Sequence, residues 1–254
     1  MQSILGQNKS VKILESAITS NRIHHAWIFY GTRGVGKCTT AALFAKRLLN
    51  KNTSDTSANR NKQNEVSITN SDHPDLHIIT KELTVYSRDP QIRKRKQRNI
   101  PVDVIREFVT EPAFRSGYAN SAKSSFASKV FIIDEAELLD LTAQNILLKT
   151  LEEPPEGTVL ILVTTQEDRL LPTIRSRCQR IGFTPLSDEN MNKWLAMRNI
   201  SLDIQQTQWL LRFSQGSPGL ATYMLDWNLL SWYEVIVPAL AELDQQRFPV
   251  GLSD

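Results

Sequence analysis

Gly31-Thr-Arg-Gly-Val-Gly36-Lys37-Cys38 stands between an apolar run, Ala26-Trp-Ile-Phe-Tyr30, and a stretch from Lys37 to Leu49 with Ala, Leu and Phe at helical spacing. A glycine-rich turn that leaves a strand and opens a helix is the context of a phosphate-binding loop. Successive backbone N–H groups and the helix N-terminus can cradle phosphate oxygens, and Lys37 can reach the β and γ phosphates. Gly31, Gly34, Val35, Gly36, Lys37, Cys38 and Thr39 are therefore candidates to bind ATP or ADP with Mg²⁺. One position departs from the pattern. Where a Ser or Thr hydroxyl would ligate magnesium stands Cys38, and a thiol is a poor ligand for a hard cation. Thr39, one residue on, points elsewhere on the helix.

About a hundred residues downstream, Val130-Phe-Ile-Ile ends in Asp134-Glu135. Alone, an acidic pair after a strand is often a solvated strand end. Beside a phosphate loop it has the second signature of a nucleoside triphosphatase, in which Asp134 positions the metal brought by the nucleotide and Glu135 polarises the attacking water. Leu162-Val-Thr164-Thr165 ends the next apolar run, and either hydroxyl can sense the γ phosphate, with Thr165 the sensor candidate. A strand-end Thr can equally satisfy its own backbone.

These residues need a sheet to hold them. Helical spacing over 9–20, strands at 26–30, 76–79, 130–134 and 159–163, and helices at 37–49, 101–110 and 142–153 alternate along the first part of the chain. Strands this apolar, alternating with helices, predict an α/β fold: a parallel sheet covered by helices on both faces. Between them, residues 51–75 are almost all Asn, Ser, Thr, Asp, Lys and Gln and predict an exposed polar insertion, and 88–99 form a basic loop containing Arg93-Lys-Arg-Lys-Gln-Arg98. From Pro185 the pattern becomes helical only, with helices predicted over 187–198, 203–214 and 218–230. The predicted organisation is a nucleotide-binding domain over 1–184 and a small helical lid over 185–254.

The 254 residues carry 30 Lys+Arg against 27 Asp+Glu, a net charge of only +3, which gives little support to a general nucleic-acid binder. With 41% hydrophobic and 22% charged residues, a disordered, fibrous or membrane protein is disfavoured. Cys38 and Cys178 stand far apart with no Cys-x-x-Cys pair, so a disulfide scaffold and a cysteine-based zinc ribbon are not expected. His73 and His77 with Asp72 and Asp75 do not make a metal site, because Pro74 spoils the helix that would align the histidines. The N-terminus lacks a basic flank and apolar stretch, and the longest aliphatic run, 159–163, is too short for a bilayer. The expectation is a cytoplasmic protein.

Leu171-Pro-Thr-Ile-Arg-Ser176-Arg177-Cys178, taken with Ile23-His-His-Ala-Trp, Leu148-Lys-Thr-Leu-Glu-Glu-Pro-Pro-Glu-Gly157 and Gly216-Ser-Pro-Gly219, resembles the clamp-loader branch of the AAA+ ATPases. Within it the chain is most similar to delta-prime subunits of bacterial DNA polymerase III, with gamma/tau subunits as close relatives. The resemblance spans about Ile4 to Leu225 apart from the insertion. It implies a P-loop-type core and lid, and a hetero-oligomer with gamma/tau-type and delta-type subunits, a sliding clamp and primer-template DNA. It also implies that Arg177 is an arginine finger, projected into the ATP site of a neighbouring subunit. A guanidinium there meets the charge spread over the γ phosphate and makes hydrolysis depend on assembly. Arg175 and Arg180 read as ordinary surface arginines with salt-bridge partners.

The departures from the family matter too. Its members often carry zinc-binding cysteine pairs where this chain has its polar insertion, so zinc is not expected. Pro218, Gly219 and Leu220 stand where a lid arginine is often found. A sequence ending at Asp254 leaves no room for the family's helical collar, so the expectation is either a fragment of a longer chain or a different mode of association. The leading expectation is thus a delta-prime-like stator in DNA replication, with weak or absent ATPase activity of its own. An active gamma-like ATPase and a stand-alone nucleic-acid-binding protein, using Arg93 to Arg98 on phosphates, are the alternatives.

Overall fold

The computed structural model describes residues 4–49, 73–89, 93, 98–114 and 127–244. The polar insertion lies outside them apart from 73–75, and of the basic run only Arg93 and Arg98 fall inside. The chain divides into two compact units, one of Met1–Thr32 with Gly36–Thr184, the other of Arg33–Val35 with Pro185–Asp254.

The first unit is a five-stranded parallel sheet: β1 (Ala26–Gly31), β2 (Leu76–Ile79), β3 (Lys129–Ile133), β4 (Thr158–Thr164) and β5 (Gln179–Phe183). The order is β2-β3-β4-β1-β5, so β1 lies between two strands that come later in the chain. Tyr30 is level with Thr164, and Ile133 with Leu162, which brings the ends of β1, β3 and β4 to one edge of the sheet. In open parallel sheets that edge is where ligands bind.

Both faces are covered, as the apolar strands require. Along β1, Ala26 and Ile28 join a core with Phe131, Ile133, Leu160 and Leu162, closed by Val104, Ile105, Leu147 and Leu151 from helices Val102–Ile105 and Leu141–Glu152. Trp27 and Phe29 point the other way, where Trp27 meets Phe44 of α2 (Lys37–Leu49) at 5.4 Å and Phe29 meets Phe183 at 5.2 Å. The period of two in β1 thus feeds two cores. A preceding helix, α1 (Asn8–Thr19), is anchored to the β5 end by Ser10, whose hydroxyl donates to the Gly182 carbonyl at 2.6 Å.

Three local features differ from the sequence reading. β5 went unread because it is an edge strand in which only Ile181 and Phe183 are buried. The helix expected over 101–110 is α-helical only for Val102–Ile105, then π-helical for Arg106–Thr110 before the turn Glu111–Phe114. Pro112 has no N–H for the Phe108 carbonyl, so the regular ladder cannot run through this segment.

The third difference is in the second unit, where the helix expected over 218–230 is two helices, Pro218–Asp226 and Leu229–Asp244, broken at Asn228 with φ 48°. Helices Asp188–Met197 and Ile204–Ser214 precede them. Ser187, Asp203 and Ser217 cap three of these N-termini, each accepting from a backbone N–H in the first turn. Arg33–Val35 groups with this unit through hydrogen bonds from the Ser217 hydroxyl to the Arg33 carbonyl and from the Gly219 N–H to the Gly34 carbonyl, each 2.9 Å. Among the described residues no helix is long and apolar enough to cross a membrane.

Candidate functional site

The site is built where β1 turns into α2. Gly31 has φ +138°, and a Cβ there would lie 2.1 Å from the Phe183 carbonyl oxygen, so only glycine lets β1 end against β5. Gly36, φ +96°, has open space around it and is required by its backbone conformation. Lys37 follows as the first residue of α2 and is 6% exposed. Its ammonium donates to the carbonyls of Gly31 at 2.8 Å and Thr32 at 2.7 Å, curling back over its own loop.

The next residue carries the departure. The Cys38 thiol is mostly buried and lies near the Asp134 carboxyl, and burial, followed by the charge of Asp134, raises the thiol pKa strongly. Asp134 is also raised, chiefly by burial, against the lowering effect of the Glu135 N–H and the nearby Cys38 thiol. Thr40, the buried hydroxyl nearest in sequence after Thr39, donates back to the Gly36 carbonyl at 2.8 Å. A thiol at this position does not fit Mg²⁺, which prefers hard oxygen donors.

Asp134 follows β3, its N–H donating to the Ile79 carbonyl at 2.9 Å. Glu135 then takes the left-handed conformation, φ 48° and ψ 47°, and its N–H donates to Asp134 Oδ1 at 2.9 Å. Its carboxylate is paired with Lys81 at 2.8 Å, both side chains about one-third exposed at 33% and 34%. Lys81 comes two residues after β2 and reaches Glu135 because β2 and β3 are neighbours. Nothing in the local sequence around Lys81 marks it; the signal is its place beside β3.

Thr164 is buried, and its hydroxyl accepts from the Gln166 N–H at 3.0 Å. Thr165 donates its hydroxyl to Glu137 at 2.6 Å, and its N–H reaches both oxygens of the same carboxylate at 3.3 Å. Glu137 is held below the ordinary carboxylate pKa by these hydrogen bonds, which outweigh the effect of burial. Glu137 is a second residue that motif reading passed over, two positions after Glu135. Thus Lys37, Cys38, Asp134 and Glu135 converge on the loop edge, and Thr165 is engaged by Glu137.

Arg177 lies apart from that cluster, just before β5. Its guanidinium donates to the Thr173 carbonyl at 3.0 Å and pairs with Glu152 at 2.9 Å, the arginine side chain being 38% exposed. Arg180 pairs with Glu167 and lies over the Tyr30 ring at 5.4 Å, a surface arginine as expected. The histidine pair upstream is structural. Trp27 Nε1 donates to the His24 carbonyl at 2.8 Å, and His25 Nε2 is 3.2 Å from the Leu151 carbonyl, fixing the start of β1. Among the described residues no cluster of three or more His, Cys, Asp or Glu can hold a metal ion.

Residues 6–187 match a known family model, DNA polymerase III, delta subunit. The chain belongs to the DNA polymerase III delta subunit family. A DNA polymerase III subunit gamma from Buchnera aphidicola is 35% identical over 83% of this chain and 52% of its own length. A delta-prime subunit from Bacillus subtilis is 31% identical over 77% of this chain and 53% of its own. The chain spans about half or less of the length of such curated relatives. The fold also matches the Thermotoga maritima RuvB Holliday junction branch migration motor, with a TM-score of 0.54 at 14% identity over 88% of this chain and 62% of that one. The resemblance to AAA+ clamp-loader subunits, and the parallel sheet with its C-terminal helices, are thereby borne out.

Proposed function

We propose that this chain acts as a delta-prime-like stator of a bacterial clamp loader, lending Arg177 to the ATP site of a neighbouring subunit while a sliding clamp is placed on primer-template DNA. The observation that carries this reading is the state of its own loop. Lys37 and Glu135 are retained, yet the magnesium-ligand position is a thiol, Cys38, and Glu135 is paired with Lys81. Such a loop suits holding a nucleotide more than hydrolysing one, which leaves an exported group as the means of action. Arg177 suits export: it is partly exposed and held by one carboxylate at the surface. The cytoplasm is the compartment that this role requires.

Reconstitution with gamma-type and delta-type subunits, a clamp and primed DNA tests the proposal. Arg177→Ala should abolish clamp loading, whereas Lys37→Ala should leave it largely intact. The rival is an active gamma-like ATPase, favoured by the 35% identity to a gamma subunit. ATP turnover by the isolated chain, lost in Lys37→Ala and Glu135→Gln, would establish that rival instead.

A further inference from the structure

An arginine that acts on another chain needs its guanidinium in place before that chain arrives, because a long free side chain loses rotamer freedom on docking. The backbone that carries Arg177 is firmly set. Ile174 is fully buried in the core. The Gln144 side chain, itself 5% exposed, accepts from the Leu171 N–H at 2.8 Å and donates to the Arg169 carbonyl at 3.2 Å. Gln144 belongs to the helix Leu141–Glu152, so one helix fixes the start of the segment that ends in Arg177.

The far end of the same helix supplies a restraint on the side chain. Glu152 is its last residue, and the Glu152 carboxylate lies 2.9 Å from Arg177 Nη2, while Nη1 donates to the Thr173 carbonyl at 3.0 Å. A carboxylate at a helix C-terminus faces the negative end of the helix dipole, and Glu153 follows it directly, so the helix itself gains nothing from an acid here. The guanidinium compensates that charge. With the two side chains 38% and 51% exposed, the pair is weak enough to aim the guanidinium without withholding it from a phosphate, the more highly charged partner. We infer that Glu152 is a positioning residue for Arg177: its charge holds the guanidinium at the surface until a phosphate of the neighbouring subunit's nucleotide takes it over. This rests on the reading of Arg177 as an arginine finger.

The test is steady-state ATP turnover, resolved into kcat and KM, by a complex reconstituted with gamma-type and delta-type subunits, a clamp and primed DNA. The full chain enters it as native, Glu152→Gln, Glu152→Asp, Arg177→Ala or the double variant Glu152→Gln with Arg177→Ala. Glu152→Gln, which keeps the shape and removes the charge, should lower kcat about 3–5-fold, the upper end of what one exposed pair supplies. KM for ATP should stay within about 2-fold, because a finger acts in the transition state. Glu152→Asp should restore kcat to within about 2-fold of native, and on the Arg177→Ala background Glu152→Gln should change nothing further. Native or higher turnover in Glu152→Gln overturns the proposal, and so does Glu152→Asp as slow as Glu152→Gln, since the charge would then not be what holds Arg177. A loss that persists on the Arg177→Ala background also overturns it, because Glu152 would then act through another group. Native turnover in Arg177→Ala is a different failure: it removes the arginine-finger reading itself, and the proposal falls with it.

Discussion

Glu135 offers a sharp test of what the site asks of the fold. It is a non-glycine residue with φ 48° and ψ 47°, two positions after the end of a fully buried strand. The left-handed conformation costs an L-residue about 1–2 kcal/mol, while glycine adopts it freely and loses about 0.4–1 kcal/mol more unfolded-state entropy. The net preference for glycine over alanine at this position is then about 0.5–1 kcal/mol. The Lys81 ion pair, with both partners one-third exposed, adds only about 0.2–1 kcal/mol after solvent screening. It is removed equally by Glu135→Ala and Glu135→Gly, so it cancels between them. Glu135→Gly should therefore melt about 1–4 °C above Glu135→Ala and close to the native chain. Scanning calorimetry measures this, with the transition of the first unit assigned through Trp27. That is the one tryptophan before residue 185, the others being Trp194, Trp209, Trp227 and Trp232. An alanine variant as stable as the glycine variant would refute the argument that Glu135 is held in a strained backbone for a purpose other than stability.

Other consequences follow from the same geometry. Gly31→Ala should destabilise the first unit by more than about 2 kcal/mol, seen as a lowered denaturant midpoint, because its Cβ would meet the Phe183 carbonyl at 2.1 Å; an unchanged midpoint contradicts the packing of β1 on β5. His77 stacks on Phe131 at 4.8 Å, and its pKa is lowered by burial, helped by Lys129 and opposed by Asp75. Below its ordinary pKa of 6.5 the unfolded chain binds the proton more readily than the folded one, so stability is complete above that pH and declines as the pH falls through the lowered folded value. The pH dependence of the melting temperature between pH 7.5 and 5 should be shallower in His77→Gln, with His25 supplying part of the slope that remains. An unaltered slope in the variant would remove His77 from the account.

The chemistry was legible where it lies along the chain and illegible where it depends on strand order. Lys37, Cys38, Asp134 and Glu135 announce themselves by type and by position at strand ends. Lys81 and Glu137 act only because β3 is inserted beside β2 and β4, placing each next to a residue distant in sequence. The central strands were readable from unbroken apolar runs, whereas β5, with Gln179, Arg180 and Gly182 exposed, looks like a loop unless its edge position is known. The break at Asn228 was hidden because Trp227, Leu229 and Leu230 continue the apolar character across it. The π-helical turn carried a usable sign, Pro112, whose missing N–H forbids a regular helix through Phe108.

The central claim is that this chain acts through Arg177 and not through its own loop. Its most direct test is ATP turnover at the neighbouring site in the reconstituted complex, comparing Arg177→Ala with Lys37→Ala. Arg177 is held by an exposed ion pair, so its removal should leave the melting temperature of the isolated chain almost unchanged. Turnover at the dependent site should nevertheless fall about 10³-fold, the usual worth of an arginine finger, while Lys37→Ala retains it. Full turnover in Arg177→Ala, or its loss in Lys37→Ala alone, would contradict the account.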